Sequence, residues 1–295
     1  MNITKIIKDH KLWLDNPSMG TRADFSGANL SNIDFHNADL RYTDFRNVNF
    51  SGADFSGADL SGADLCHADF NGANLHSANL SGADLRSTDF SGADLCYADF
   101  SGANLSGTNL SGTNLRYTIF RNTNLHNVNF SGADICYADF NGIDLRYTDL
   151  NGANLSGADL RSTDFSGADL CYADFSGANL SGTNLNSTNL RYTIFRNANL
   201  HSANLRNADL NSANLSGADL HYADLSGADL RGANFSGANL DYSCLPLHCG
   251  GQFKADTRVC KQLMAHTIRI MKLSNEPIPD GCKEYIKGWH REEEF

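Results

Sequence analysis

Cys244, His248, Cys249, Cys260, His266 and Cys282, near the end of the chain, have the types and closeness to build a zinc centre, since thiolate and imidazole are that ion's usual ligands. No CxxC pair accompanies them, and a cysteine at the end of a helix or strand is ordinarily packing, so no metal is assigned. Aspartates recur throughout, but a regular repeat brings carboxylates together by itself, and their pairs carry no acid–base meaning. Serine is as widely spread. No phosphate-binding loop, GxSxG or HExxH occurs. The chain reads as non-enzymatic, with no cofactor.

What positions these side chains is a beat of five. From Phe25 to Leu245, a Leu, Phe or Ile stands at every fifth position, 45 times without a break. Two residues before each is something small or β-branched, usually Ala as in Ala23, Ala53 and Ala93. Between them lies Asp or Asn in 42 of the 45 units, the exceptions being Ile119, Ile194 and Cys244.

A helix would smear such a period around its surface, and a flat strand would alternate its faces. The chain must therefore turn once per unit. Within a unit, extended geometry sends the small and large apolar residues to one side and the Asp or Asn to the other. The remaining two residues make the corner. Ser26-Gly27, Ser81-Gly82 and Asn151-Gly152 suit a turn whose third residue takes a positive φ. Corners with Asn, Ser, Tyr or His in that place predict a second turn class.

Units such as SGADL, CYADF and RYTDF resemble the pentapeptide-repeat family. The resemblance covers about three quarters of the chain. It implies an all-β solenoid, a right-handed quadrilateral β-helix with four units per coil and its Leu, Phe and small residues turned inward. Four sides also has support of its own, because corner Tyr recurs at a spacing of 20 (Tyr97, Tyr117, Tyr137; Tyr172, Tyr192; Tyr222, Tyr242) and never at 15. Phe50, Phe70, Phe90 and Phe100, Phe120, Phe140 repeat at the same spacing. The expected rod has about 11 coils and, with strands near 4.8 Å apart, a length of roughly 54 Å. A single coil buries too little to stand alone, so the stack needs covered ends.

Three regions follow. Residues 1–20 are expected to form a capping helix, with Ile3, Ile6, Ile7, His10 and Leu14 at helical spacing, Asn2 or Thr4 as cap, and Asn16, Pro17 and Gly20 as the stop. Residues 21–245 are the β-helix. Residues 246–295 are read as a helical cap or interaction segment, with Asp256 capping a helix from Thr257 to about Leu273. That last segment resembles an extension of some bacterial and phage pentapeptide proteins. Its Met264 and Met271 lie on an apolar side suited to a homodimer contact.

Charge separates the candidate functions. The net charge is -11, and the repeat alone holds 25 Asp, no Glu and 12 Arg. Such acidity disfavours direct nucleic-acid binding. Within the acidic rod, residues 101–130 and 176–206 contain Arg and no Asp, making two basic collars. Both lie largely in a duplication: residues 86–122 recur at 161–197 with changes only at Ser111 and Gly112, which become Asn186 and Ser187. The offset of 75 residues rotates the copy by one face.

Each copy carries RYTIFRN, at Arg116 to Asn122 and at Arg191 to Asn197, with Ile119 and Ile194 turned outward. The expected protein-contact surface is Tyr97, Arg116, Tyr117, Ile119 and Tyr137 with Arg191, Tyr192 and Ile194, to which Met264 and Met271 add the C-terminal face. Its bland counterpart is corner stacking supported by cation–π contact with Arg. The function expected is a rigid scaffold or spacer for an unidentified protein partner. The rival is mimicry of duplex DNA at DNA gyrase or a related type II topoisomerase, the role of the fluoroquinolone-resistance members of the family. No apolar run of membrane length and no signal peptide over Met1 to Leu14 are found, so the chain is expected in the cytoplasm with free thiols.

Overall fold

The five backbone N–H groups of each unit explain the architecture. In a computed structural model of the chain, which describes residues 2–245, 255, 256, 259, 260 and 262, the unit from Phe55 to Asp59 sends each to a separate destination. The N–H of Phe55 donates to the carbonyl of Asn74 at 2.7 Å, and that of Gly57 to His76 at 2.9 Å, both in the next coil. The N–H of Asp59 donates back to Ala38 in the previous coil at 2.9 Å. Ala58 closes the corner onto Phe55 at 2.9 Å, and Ser56 donates to Oδ1 of Asp54 at 2.9 Å. In such a unit nothing is left for water to satisfy.

That last bond is why Asp or Asn holds its place in the repeat. A short side chain with an acceptor oxygen takes the N–H two residues on and locks the corner. Asn adds an amide that spans coils: Nδ2 of Asn74 donates to Oδ1 of Asp54, and Nδ2 of Asn114 to Oδ1 of Asp94.

Parallel bridges pair the central residues at a separation of 20, from Asp24 with Asp44 to Asp224 with Cys244, so four units complete one coil. The second corner residue takes a left-handed φ at all 44 corners from Gly27 to Tyr242. Gly occupies this region at 63 to 73° and the other residues, nine Tyr among them, at 55 to 62°. The second turn class expected for non-Gly corners thus makes no difference at this residue, because the ladder demands its N–H in one direction.

The interior is filled by the chain itself. Phe50, Phe70 and Phe90 stack at 4.8 and 4.9 Å between ring centroids, and Leu65 and Phe100 are fully buried. Where Thr replaces Ala, its hydroxyl still finds a carbonyl, as Thr118 does on Leu95 at 3.1 Å and Thr123 on Phe100 at 2.9 Å. One place departs from the regular ladder. Asn124 and Asp144 form no bridge with each other, and just inside them Ile143 sits in a column of small residues between Thr123 and Thr163.

Helix α1, Ile3–Asp15, covers the first coil, with Asn2 as its cap through a bond from the N–H of Lys5. Its buried His10 accepts the N–H of Ala23 at Nδ1, which leaves the proton on Nε2, facing the carbonyl of Arg41 at 3.0 Å. Burial holds this imidazole below its ordinary pKa, so it is neutral. Gly20 lies against the backbone of Asp9 and Trp13, where a Cβ would collide with both.

At the other end no further coil follows among the described residues, and two side chains stand in for it. Oδ2 of Asp256 accepts the N–H of Gly237 at 2.5 Å, and Oε1 of Gln262 accepts that of Leu240 at 3.2 Å. Asp256 also takes the N–H of Val259 at 2.9 Å, as a helix cap would. The remainder of the helix expected to about Leu273 lies outside the described residues, as do His248, Cys249, Met264, His266, Met271 and Cys282. No helix among the described residues is long and apolar enough to cross a membrane.

Candidate interaction surface

The tyrosines meet as their spacing predicts. Tyr97, Tyr117 and Tyr137 stack on one corner at 4.8 and 5.3 Å between centroids, within 7° of parallel. Tyr172 and Tyr192 stack at 5.0 Å on the neighbouring corner, which is the one-face rotation of the duplicated segment. A left-handed backbone costs a bulky residue roughly 1–2 kcal/mol, and stacking returns about 0.5–1.5 per pair. Ladders are therefore favoured over solitary rings.

Arg116 lies 6.0 Å from the centre of the Tyr117 ring, and Arg191 lies 5.7 Å from Tyr192. Ile119 and Ile194 are half-buried in the middle of their faces, each bridged to an Asp of the preceding coil, Asp99 and Asp174. Being aliphatic, neither can accept the corner N–H that follows it. The result is a strip of Tyr, Arg and Ile on each of two adjacent faces, offset along the rod by about 18 Å at the usual strand spacing.

The arginines divide by their neighbours. Where the preceding unit carries Asp, the guanidinium folds back onto it, as Arg46 does onto Asp44 and Arg86 onto Asp84 at 2.7 Å, holding those carboxyls below the usual range. In the collars that residue is Asn or Ile, and the Arg reaches 18 residues forward into the next coil. Arg116 meets Asp134 at 3.3 Å and Arg121 meets Asp139 at 2.8 Å, while Arg191 and Arg206 come within 3.9 Å of Asp209 and Asp224. Among the described residues Arg196, beside Ile194, is the rod arginine without a carboxylate in reach.

The corner cysteines are free thiols. Burial pushes Cys66 up to about 12 and raises Cys96 and Cys171, so none of these three is a poised nucleophile. Asp64, Cys66 and Asp84 converge within 4.8 Å, but Arg46 and Arg86 flank them and Arg86 already occupies Asp84, a poor setting for a cation. His76, Asp94 and Cys96 form a second convergence. Sequence reading missed it, although a spacing of 20 between corner residues would have found it.

Such an array, parallel strands closed into a square around a solid core, defines a β-solenoid whose outside and tips alone are available for contact. The chain belongs to the pentapeptide repeat family, whose model, described as pentapeptide repeats, matches it in 8 copies over residues 21–211 and 213–246. The fold is accordingly the right-handed quadrilateral β-helix of that family. HetL, a pentapeptide repeat protein involved in heterocyst differentiation regulation from Nostoc sp. PCC 7120, is 31% identical, with 85% of this chain and 99% of that one covered and a TM-score of 0.41. Rfr23 from Cyanothece 51142 is 34% identical over 37% of this chain and 60% of its own, with a TM-score of 0.26. QnrB1, a plasmid-mediated fluoroquinolone resistance protein, is 20% identical over 83% and 99%, with a TM-score of 0.32. No curated protein sequence matches the chain.

Proposed function

We propose that the chain is a non-enzymatic scaffold in the cytoplasm that holds protein partners on the two RYTIFRN strips. The observation that carries this reading is that the same seven residues, placed on two adjacent faces, interrupt the Asp or Asn rule at Ile119 and Ile194 and set an aliphatic side chain beside stacked Tyr and a cationic Arg. Tyr, Arg and apolar side chains are the groups that anchor protein interfaces, and a rigid rod presents them with little ordering cost. Two equivalent strips suit two copies of one partner, or one partner with a repeated feature.

The test uses Ile119→Asn with Ile194→Asn, which returns both units to the repeat pattern and leaves the core untouched. Partner capture by the intact chain should be lost in the double variant. A chain ending after Gln262 keeps Asp256 and Gln262 and removes Met264 and Met271. Loss of capture or of self-association only in that chain would move function to the C-terminal segment.

A second reading, mimicry of duplex DNA at a type II topoisomerase, draws on the 25 Asp of the rod. The collars oppose it, because they interrupt the acidic surface twice. A gyrase supercoiling assay separates the two: salt-sensitive inhibition favours mimicry, and inertness at micromolar protein favours the scaffold.

A further inference from the structure

Of the four corner cysteines in the rod, Cys96 has a histidine directly over it. The residue one coil earlier on the same corner is Arg46 for Cys66, Arg116 for Cys136, Asn151 for Cys171 and His76 for Cys96. The ladder fixes this register, with the N–H of Ser77 on the carbonyl of Cys96 at 2.9 Å and that of Leu75 on Asp94 at 2.7 Å. One imidazole nitrogen, the Cys96 sulfur and a carboxylate oxygen of Asp94 all lie within 4.8 Å of one another.

Their other contacts leave them open. Oδ1 of Asp94 is engaged by the N–H of Cys96 at 3.0 Å and by Nδ2 of Asn114 at 2.9 Å, which orients the carboxylate and leaves Oδ2 without a partner among the described residues. The His76 ring nitrogens and the Cys96 sulfur likewise have no hydrogen bond there, while the ring is steadied edge-on by Tyr97 at 5.6 Å. The nearest arginine on that corner, Arg116, is engaged by Asp134 and Tyr117.

We infer that His76, Asp94 and Cys96 form a three-ligand site for a zinc-class divalent cation on the corner of the rod. One nitrogen, one oxygen and one sulfur are the donor set that borderline ions prefer over magnesium or calcium. Tetrahedral zinc places its ligand atoms about 3.3–3.8 Å apart, so side-chain rotation closes the site without moving the ladder. A thiolate and a carboxylate balance the charge of the ion. The fourth position faces outward beside Tyr97, where a partner's ligand would complete the shell.

The duplication supplies an internal control. Asp169, Cys171 and Asn189 reproduce Asp94, Cys96 and Asn114, with Asn189 on Oδ1 of Asp169 at 2.8 Å, but Asn151 stands where His76 stood. The copy lacks one ligand and should not hold the ion.

Cobalt and zinc are titrated into the full-length reduced protein, with stoichiometry read by calorimetry and thiolate ligation by the cobalt charge-transfer band. The expected result is a tight equivalent lost in both His76→Ala and Cys96→Ser, retained in Cys136→Ser, and weakened about 10–100-fold in Asn114→Ala. Asn151→His should add a second equivalent, a gain that misfolding cannot imitate. A stoichiometry unmoved by His76→Ala and Asn151→His, lost only with Cys244→Ser and Cys249→Ser, would overturn the assignment, as would no uptake at all.

Discussion

Oε1 of Gln262 accepts the N–H of Leu240 across 22 residues of sequence, in the place where every regular coil offers a backbone carbonyl. Together with Asp256 on Gly237, it ends the ladder with side chains instead of a further turn. A solenoid edge left bare would expose a row of unpaired N–H groups ready to join another chain.

Removing that stand-in should loosen the last coil. Gln262→Ala leaves a buried donor unsatisfied, at a cost of about 1–3 kcal/mol. Amide exchange of Leu240 and its neighbours should accelerate while the central coils stay protected. Unchanged exchange at Leu240 would show that Gln262 only lies nearby.

The opposite end should be sensitive to acid. His10 is neutral when folded and its pKa lies below the ordinary 6.5. When the cap opens, the freed imidazole binds a proton more readily, so the contribution is complete above about 6.5 and is lost as pH falls below that toward the folded value. Amide exchange at Ala23, corrected for its intrinsic pH dependence, should show opening becoming easier across that window. The dependence should vanish in His10→Asn.

Stacking should decide which corner tyrosine matters. Tyr147 has a left-handed φ of 58°, is 73% exposed and stacks on no ring, whereas Tyr117, at the same φ, stacks on two. Replacing either by Gly removes the backbone strain. Tyr117→Gly should therefore cost about 1–3 kcal/mol more than Tyr147→Gly in denaturant unfolding, the worth of two stacked pairs. Equal costs would mean that the ladder contributes nothing.

Ile143 should prove to be the cause of the missing bridge. In Ile143→Thr, the residue found at positions 123 and 163 of the same column, Asn124 and Asp144 should pair and the amide of Asp144 should exchange more slowly. Global stability falls by the lost apolar burial, on the order of 1–2 kcal/mol. Slower local exchange alongside lower overall stability is the signature that separates relief of crowding from simple loss of core.

The five-residue beat was enough, without coordinates, to say which side chains are inside, where the chain turns and, through Tyr97, Tyr117 and Tyr137, that four units close a coil. Local chemistry repeated 45 times leaves little freedom. Why Asp or Asn fills the middle of each unit was not legible, because the reason is a hydrogen bond to an N–H two residues away. The bonds of His10 to Ala23, Asp256 to Gly237 and Gln262 to Leu240 were equally hidden: they belong to the ends, where the period stops and the contacts join segments with no pattern in common. The spacing of 20 would have set His76 over Cys96, but only the folded tube decided that their ligand atoms and a carboxylate oxygen of Asp94 lie within 4.8 Å of one another, since side-chain direction comes from winding distant residues onto one edge.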